Sequence, residues 1–208
     1  MPLRNLALAL AMCGAVGAHA SDEQGLAIVT QGTAAGATAC IACHGIDGAG
    51  GAAANFPRLG GMDAAYLRKQ LLDNKNGARH SPVMTPVAQG LSDAELKAVT
   101  EYYSKQRPQM PAVSAEPAAL ALGERIANQG LWARDIPACF SCHGPEGRGI
   151  GAFPAIAGQH AGYIAQQIEQ WKNGGRHNDA VGLMKAVSDR LTADETQAVA
   201  AYLASLKL

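Results

Sequence analysis

The chain has 208 residues, and its 17 Lys and Arg residues balance 17 Asp and Glu residues. A formal charge of zero gives no indication of the basic face that nucleic-acid binding requires, so nucleic acid is not an expected partner. Only 16% of the residues are charged and 5% are aromatic, whereas soluble domains average about 25% charged residues. The abundance of alanine and glycine predicts helices joined by glycine-rich loops. Small domains of this composition have thin hydrophobic cores, so another group must help to fill the interior.

The N-terminus has the features of a secretory signal peptide. Arg4 precedes an apolar stretch over residues 6–18, and residues 18–20 fit the small-x-small cleavage pattern. We predict a signal peptide over residues 1–20, its removal, and a periplasmic mature chain without a transmembrane segment. A membrane-retained helix is less favoured because the apolar stretch is shorter than the roughly 18 residues of a span. A lipoprotein signal at Cys13 is less favoured because a bulky residue precedes it.

The other four cysteines form two pairs, each followed directly by histidine. The two segments read Cys40-Ile41-Ala42-Cys43-His44 and Cys139-Phe140-Ser141-Cys142-His143. In C-x-x-C-H, two thiols can add to the two vinyl groups of one haem, and the adjacent histidine is then placed to ligate the iron. The pattern predicts two covalently attached haem c groups, one for each motif.

Three other interpretations of the cysteines explain less of the pattern. A zinc ribbon has its two pairs about 15–20 residues apart and needs no histidines, but these pairs lie about 96 residues apart. A thioredoxin-like redox pair belongs to a βαβ unit, whereas the flanks here indicate loops and helices. Two disulfides are compatible with export, but they leave both histidines unexplained.

The second half of the chain repeats the first. The repeated segments, given as first copy and second copy, are Phe56-Pro57 and Phe153-Pro154, Tyr66 and Tyr163, and 75–80 and 172–177. Each copy ends in a capping box that opens a helix, at Ser92–Glu95 and at Thr192–Glu195. Two tandem copies indicate two domains rather than a solenoid, which needs three or more units.

We therefore predict an all-α fold with two tandem domains, each wrapped around one haem. The N-terminal domain is predicted over residues 21–108, a proline-rich linker over 109–117, and the C-terminal domain over 118–208. Each copy is expected to have a helix before its C-x-x-C-H motif, one from about Ala64 (Ala161) and one from about Asp93 (Ala193). No convincing alternation of apolar and polar residues indicates a strand.

The sixth coordination position of each iron decides between an electron carrier and a catalyst with an open site. Met84 lies seven residues before Leu91, and Met184 lies seven before Leu191, so a methionine keeps its distance from the same capping motif in both copies. This conservation of spacing between the copies favours Met84 and Met184 as axial ligands. His80 and His177 also repeat and are the alternative ligands, although we interpret them as solvated loop residues or propionate neighbours.

Four further residues are candidates for the haem surroundings or the surface. Arg79 and Arg176 repeat, and each is interpreted either as a partner of a haem propionate or as an exposed loop arginine. Trp171 replaces an asparagine of the first copy and is expected to pack locally. His160 has no histidine counterpart and is expected on the surface.

Together, the two C-x-x-C-H motifs, the repeated Phe-Pro, the Gly-x-Arg turn and the Met-x6-Leu-Ser/Thr-x-x-Glu ending resemble the dihaem cytochromes c of the cytochrome c4 type. The resemblance covers essentially the whole mature chain. It implies two class I cytochrome c domains related by approximate two-fold symmetry, which pass electrons in the periplasm. It also implies thioether attachment at Cys40, Cys43, Cys139 and Cys142, with axial pairs His44–Met84 and His143–Met184.

The resulting prediction is an electron-transfer protein, not an enzyme, that carries electrons between a redox protein donor and acceptor. A membrane respiratory complex or terminal oxidase is the expected partner. One alternative is an electron-transfer subunit of a larger enzyme, such as a flavocytochrome sulfide dehydrogenase. The other is an enzyme, either a dihaem peroxidase or a thiosulfate-oxidising cytochrome. Two matched methionines argue against the open iron that a peroxidase needs.

Overall fold

The structure is a computed structural model that describes residues 13–207, with side-chain positions from residue 22 onward except at residue 180. Most of the predicted signal peptide, residues 1–20, lies outside this described part. Among the described residues, no helix has both the length and the apolar character that crossing a membrane requires.

The regular secondary structure of the described residues is helical, and β structure is confined to isolated bridges. The α-helices are α1 (Cys13–Gln31), α2 (Ile41–His44), α3 (Ala64–Asn76), α4 (Met84–Gln89), α5 (Asp93–Lys105), α6 (Pro117–Gln129), α7 (Cys139–His143), α8 (Ala161–Lys172), α9 (Leu183–Arg190) and α10 (Ala193–Ser205). Short 3-10 turns lie at Ala52–Ala54, Trp132–Arg134, Pro145–Gly147 and Ala180–Gly182. The order α1–α5 is repeated as α6–α10. The predicted all-α fold with two tandem domains is confirmed.

The predicted helix starts at Ala64, Asp93, Ala161 and Ala193 are confirmed, and side-chain caps explain three of them. The Asp63 carboxylate accepts a hydrogen bond from the backbone N–H of Tyr66 at the start of α3. Both capping boxes form, with Ser92 and Thr192 each exchanging hydrogen bonds with the glutamate three residues later. These contacts satisfy N–H groups that a helix start otherwise leaves unpaired.

Each domain has its own hydrophobic core. The cores are centred on the last helix of each repeat, where Leu96 and Val99 of α5 and Val199 and Leu203 of α10 are buried. The irregular segment 106–116 joins α5 to α6 and overlaps the predicted linker. The domain boundaries at 21–108, 109–117 and 118–208 remain predictions.

The first and last helices of each repeat cross at a glycine. At Gly25 of α1, an added β-carbon would lie 2.7 Å from the carbonyl oxygen of Ala98 in α5. At Gly123 of α6, it would collide with the carbonyl oxygen of Ala198 in α10. The absence of a side chain at these two positions therefore allows the helix backbones to approach closely.

The two domains meet through the turns that follow α3 and α8. The backbone N–H of His80 donates to the carbonyl of Gly175 at 3.0 Å, and the N–H of His177 donates to the carbonyl of Ala78 at 3.0 Å. Arg79 and Arg176 thus face each other in an antiparallel bridge. Because equivalent segments pair, the contact has the approximate two-fold symmetry that the family resemblance implies.

The glycine crossing generates a stability prediction. Replacing Gly123→Ala should destabilise the haem-loaded protein by about 1–3 kcal/mol, the usual cost of overpacking a tight interior contact. Ala121→Leu adds bulk at an exposed position of the same helix and should change stability by less than about 0.5 kcal/mol. Urea unfolding measures both variants, and equal effects would show that the helices separate freely at Gly123.

Candidate functional site

Both C-x-x-C-H motifs form a single helical turn that ends at the histidine. α2 ends at His44 and α7 ends at His143, and each is followed by a glycine with a positive φ, of 74° and 75°. No disulfide joins the four cysteines of the two motifs. Burial raises the pKa of both Cys40 and Cys139 to about 11, so these thiols are neutral in the unmodified chain.

The two histidines are buried, and a backbone carbonyl fixes one ring nitrogen of each. His44 Nδ1 lies 3.1 Å from the carbonyl oxygen of Pro57, and His143 Nδ1 lies 2.8 Å from that of Pro154. A carbonyl only accepts hydrogen bonds, so Nδ1 carries the proton and Nε2 keeps its lone pair. The repeated Phe-Pro segments therefore orient each imidazole so that its Nε2 lone pair is available to a metal ion.

The electrostatic surroundings of these rings also favour the neutral form. Burial lowers the pKa of His44 and of His143, and the hydrogen bond to the proline carbonyl opposes this only partly. A neutral imidazole is the form that can donate a lone pair to iron.

Met84 is the first residue of α4 and Met184 is the second residue of α9, two short helices that the sequence analysis did not predict. Each methionine N–H is bound by an upstream side chain, Met84 by Ser81 Oγ at 3.0 Å and Met184 by Asp179 Oδ2 at 2.7 Å. Both methionines line the same cavity as the two C-x-x-C-H motifs. His80 and His177 are exposed and lie outside the lining of that cavity.

A lysine ties each methionine loop to the helix that precedes it. Lys75 of α3 donates to the carbonyl of Leu91 at 2.6 Å, and Lys172 of α8 donates to that of Leu191 at 2.9 Å. These equivalent bonds connect the segment that follows each methionine to α3 in the first domain and to α8 in the second.

The cavity fits two haem groups in its chemistry. One continuous cavity contains two sets of lining residues, each with two thiols and one imidazole. The second set has one thioether, Met184, and the first has two, Met84 and Met62. The remaining walls are mainly apolar, with Leu67 and Val99 in the first domain and Ile164 and Val199 in the second. A large planar apolar group with iron at its centre matches both parts of this lining, and it supplies the interior bulk that the composition lacks.

The structure excludes one of the two interpretations for one of the repeated arginines. Arg79 and Arg176 both line the cavity, and Arg176 is buried with its guanidinium carbon 4.0 Å from the centre of the Trp171 ring. The alternative of an exposed loop arginine is therefore wrong for Arg176. The expectation that Trp171 packs locally is confirmed, because it is buried under this cation.

The expectation that His160 lies on the surface is wrong. His160 is 8% exposed, and its Nε2 lies 2.8 Å from the carbonyl oxygen of Ala49 in the other domain. The position lies at the interface between the domains, which removes it from solvent.

Sequence reasoning missed four side chains at this interface. Gln159 exchanges two hydrogen bonds with the backbone of Arg58, at 2.8 and 3.0 Å, and the fully buried Arg58 guanidinium donates to the carbonyls of Gly158 and Ala157. Burial lowers the pKa of Arg58 to about 10.

Gln70 and Gln167 bind both repeated arginines. The two glutamines occupy equivalent positions of the repeat, and this match could have identified them.

Comparisons with known proteins agree with this site. The family description Cytochrome c matches residues 29–106 and 121–207. The chain is 47% identical over 192 residues to the thiosulfate dehydrogenase electron acceptor of Stutzerimonas stutzeri, covering 91% of this chain and 88% of that protein.

Two solved structures have the same fold. Reduced recombinant cytochrome c4 from Pseudomonas stutzeri aligns with a TM-score of 0.79 and 33% identity, covering 89% of this chain and 98% of that one. Thiosulfate dehydrogenase from Marichromatium purpuratum aligns with a TM-score of 0.83 and 41% identity over 89% of this chain, but this chain spans only 40% of that longer one.

The family determines the cofactor and the general activity. Two C-x-x-C-H motifs, each in a cytochrome c domain, hold two covalently attached haem c groups, and the activity is electron transfer. The chain belongs to the cytochrome c family and, within it, to the dihaem cytochromes of the c4 type.

Proposed function

We propose that this protein is a periplasmic electron carrier that accepts electrons from a thiosulfate dehydrogenase and passes them to a respiratory acceptor. The observation that carries the choice of donor is the 47% identity, over 91% of this chain, to a thiosulfate dehydrogenase electron acceptor. The alignment with part of a longer thiosulfate dehydrogenase chain supports it, since a unit of this fold there shares a polypeptide with the enzyme. A terminal oxidase as the acceptor remains a prediction from the sequence.

We propose Cys40, Cys43, Cys139 and Cys142 as the thioether attachments, and His44–Met84 and His143–Met184 as the axial pairs. The carbonyls of Pro57 and Pro154 hold the imidazoles in the tautomer that leaves Nε2 free. Haem iron supplies one-electron redox chemistry, and a methionine ligand raises its reduction potential. With both axial positions filled by protein, an electron can enter and leave without a change of ligands, which is what a carrier needs.

A dihaem peroxidase requires an iron with an open position, and a thiosulfate-oxidising cytochrome would need a further cysteine as an unusual iron ligand, whereas the four cysteines of the motifs are the proposed attachment sites. The protein instead has a methionine in each half of the cavity, each with its backbone N–H bound. This arrangement favours two closed sites and a carrier over a peroxidase or a thiosulfate-oxidising enzyme.

Apolar side chains beside the cavity support docking through the haem edges. In the C-terminal domain, Phe153 is 40% exposed and Leu183 is 49% exposed, and both line the cavity. Val83 occupies the corresponding place before the methionine of the first domain and is 55% exposed. The charged pairs nearest in sequence, Arg148–Glu146 and Lys185–Asp189, neutralise themselves. We therefore expect an apolar contact with weak electrostatic steering.

Replacing each proposed methionine ligand tests the two closed sites. Met84→Leu or Met184→Leu should leave two haems per chain and open one of them, so that carbon monoxide binds half of the reduced haem. The far-red iron–thioether absorption of the ferric protein should also fall by half. Met62→Leu replaces a buried methionine of the first domain and is the matched control, which should bind no carbon monoxide. Full retention of the far-red band in a Met84 or Met184 variant would contradict the assignment.

The proposed donor is tested by reduction in the presence of its substrate. A catalytic amount of thiosulfate dehydrogenase with thiosulfate should reduce both haems of the purified protein, and the rate should fall less than about threefold between 50 and 200 mM salt because steering is weak. Omission of the enzyme is the control. Failure of reduction with an enzyme that reduces another cytochrome c4 would contradict the proposed donor but not the electron-transfer role.

The proposed apolar contact is tested by adding a charge to it. Leu183→Lys should slow reduction by the dehydrogenase at least tenfold, because docking would then bury an unpaired cation, which costs about 1.4 kcal/mol or more. Leu26→Lys places the same charge on an exposed position of α1 outside the cavity lining and should change the rate less than twofold. Equal rates for both variants would mean that the donor docks elsewhere.

A further inference from the structure

Four buried or partly buried side chains form one hydrogen-bonded group between the domains, which we call the interdomain clamp: Gln70 and Arg79 from the first domain, Gln167 and Arg176 from the second. Arg79 donates to Gln70 Oε1 at 3.1 Å and to Gln167 Oε1 at 2.7 Å. Arg176 donates to Gln167 Oε1 at 3.0 Å and to Gln70 Oε1 at 3.0 Å. Each arginine therefore contacts both domains, and each glutamine oxygen accepts from both arginines.

The clamp brings two guanidinium groups together without a carboxylate from the described part of the chain in contact with either, although Arg79 also donates to the hydroxyl of Tyr163 at 2.7 Å. Among the residues that the structure describes, no carboxylate lies within ion-pair distance of either guanidinium. The closest acidic neighbour in the sequence, Asp73, is bound by Lys69 at 2.5 Å and by Asn178 at 2.7 Å.

Burial and the neighbouring Arg79 both lower the pKa of Arg176. Burial also acts to lower the pKa of Arg79, but the nearby Tyr163 and Tyr66 hydroxyls and Asp73 raise it overall. Buried like charges repel strongly, so this arrangement calls for anions.

The clamp also lies where the two haem pockets join. All four of its residues line the continuous cavity that contains both C-x-x-C-H motifs. Each haem carries two carboxylate-bearing propionate groups, and guanidinium groups bind carboxylates with charge-assisted hydrogen bonds. Two haems can thus bring to this point the negative charge that the protein lacks there.

We propose that the interdomain clamp is a shared anchor for carboxylates of both haems, so that each arginine sets the reduction potential of the haem in the other domain as well as its own. Arg79 and Arg176 are positioning residues that act on both sites from the boundary between them. A nearby cation favours the reduced haem, which carries one positive charge less than the oxidised haem. Loss of either arginine therefore lowers both potentials. This inference depends on the two haems and is independent of which enzyme donates the electrons.

The test uses the full-length protein loaded with both haems. Redox titration followed by NMR of the haem methyl groups measures the potential of each haem separately. Arg79→Gln should lower both potentials, with the shift at the second-domain haem at least half of that at the first-domain haem. Arg176→Gln should give the mirror-image result, and Arg79→Lys, which keeps the charge, should restore more than half of each shift.

An isosteric variant keeps the test possible if loss of an arginine prevents folding or haem attachment. Gln167→Glu places a carboxylate between both guanidiniums without changing the side-chain shape. It should neutralise part of the clamp and lower both potentials. A shift of only the second-domain potential would overturn the proposal.

Two controls separate the clamp from general effects. Arg125→Gln removes the same charge from an exposed position of α6 and should shift neither potential by more than a quarter of the Arg79→Gln effect. His160→Ala removes an interdomain hydrogen bond outside the cavity lining and should leave both potentials nearly unchanged. If His160→Ala lowers both potentials as far as Arg79→Gln does, domain separation explains the effect and the shared anchor is wrong. A response to Arg79→Gln confined to the first-domain haem would also overturn it.

Discussion

The hydrogen bond from each buried histidine to a proline carbonyl is the contact on which the rest of each domain depends. It settles which ring nitrogen carries the proton, and so it leaves the other nitrogen available to iron. The proline carbonyl can occupy that place because the loop after the C-x-x-C-H turn folds back onto it. Glycines 50 and 149 in these loops have positive φ values of 77° and 86°, and a side chain at either would collide with the returning backbone. The path of the loop after each C-x-x-C-H turn therefore also determines the orientation of the histidine.

The interior follows from the same site. Aromatic side chains are few, and helices α3, α5, α8 and α10 contribute walls to a continuous cavity. The first and last helices of each repeat approach closely at a glycine crossing. Stability and cofactor binding are thus linked, because the haem completes the core that the side chains leave open.

The domain interface is buried, as the two cores are, but its contacts are polar whereas the cores are apolar. It pairs backbone with backbone at Arg79 and Arg176, and side chain with backbone at Gln159 and Arg58. Buried polar groups of this kind make the relative position of the domains specific, since any displacement leaves donors without acceptors. The repeats are equivalent in this contact but not identical. Met62 accepts from Arg58 in the first domain, where the second repeat has Gln159, and Trp171 supports Arg176, whereas the first repeat has Asn74. Two haems in such unequal surroundings need not have equal potentials.

The sequence by itself determined the class of fold, the number of haems and the candidate ligands. It could do so because haem attachment needs two thiols and a histidine within five residues, and because helix starts and methionine spacing are local patterns that the repeat shows twice. Helices α4 and α9 around Met84 and Met184 were not predicted, since they are short and lack side-chain caps at their N-cap residues. Only the tertiary structure decided that His160 is buried and that Gln70, Arg79, Gln167 and Arg176 form one group. These residues come from turns and helices about a hundred positions apart in the chain. Their burial and their charge balance depend on how the two domains pack together, and local sequence spacing contains no information about that packing.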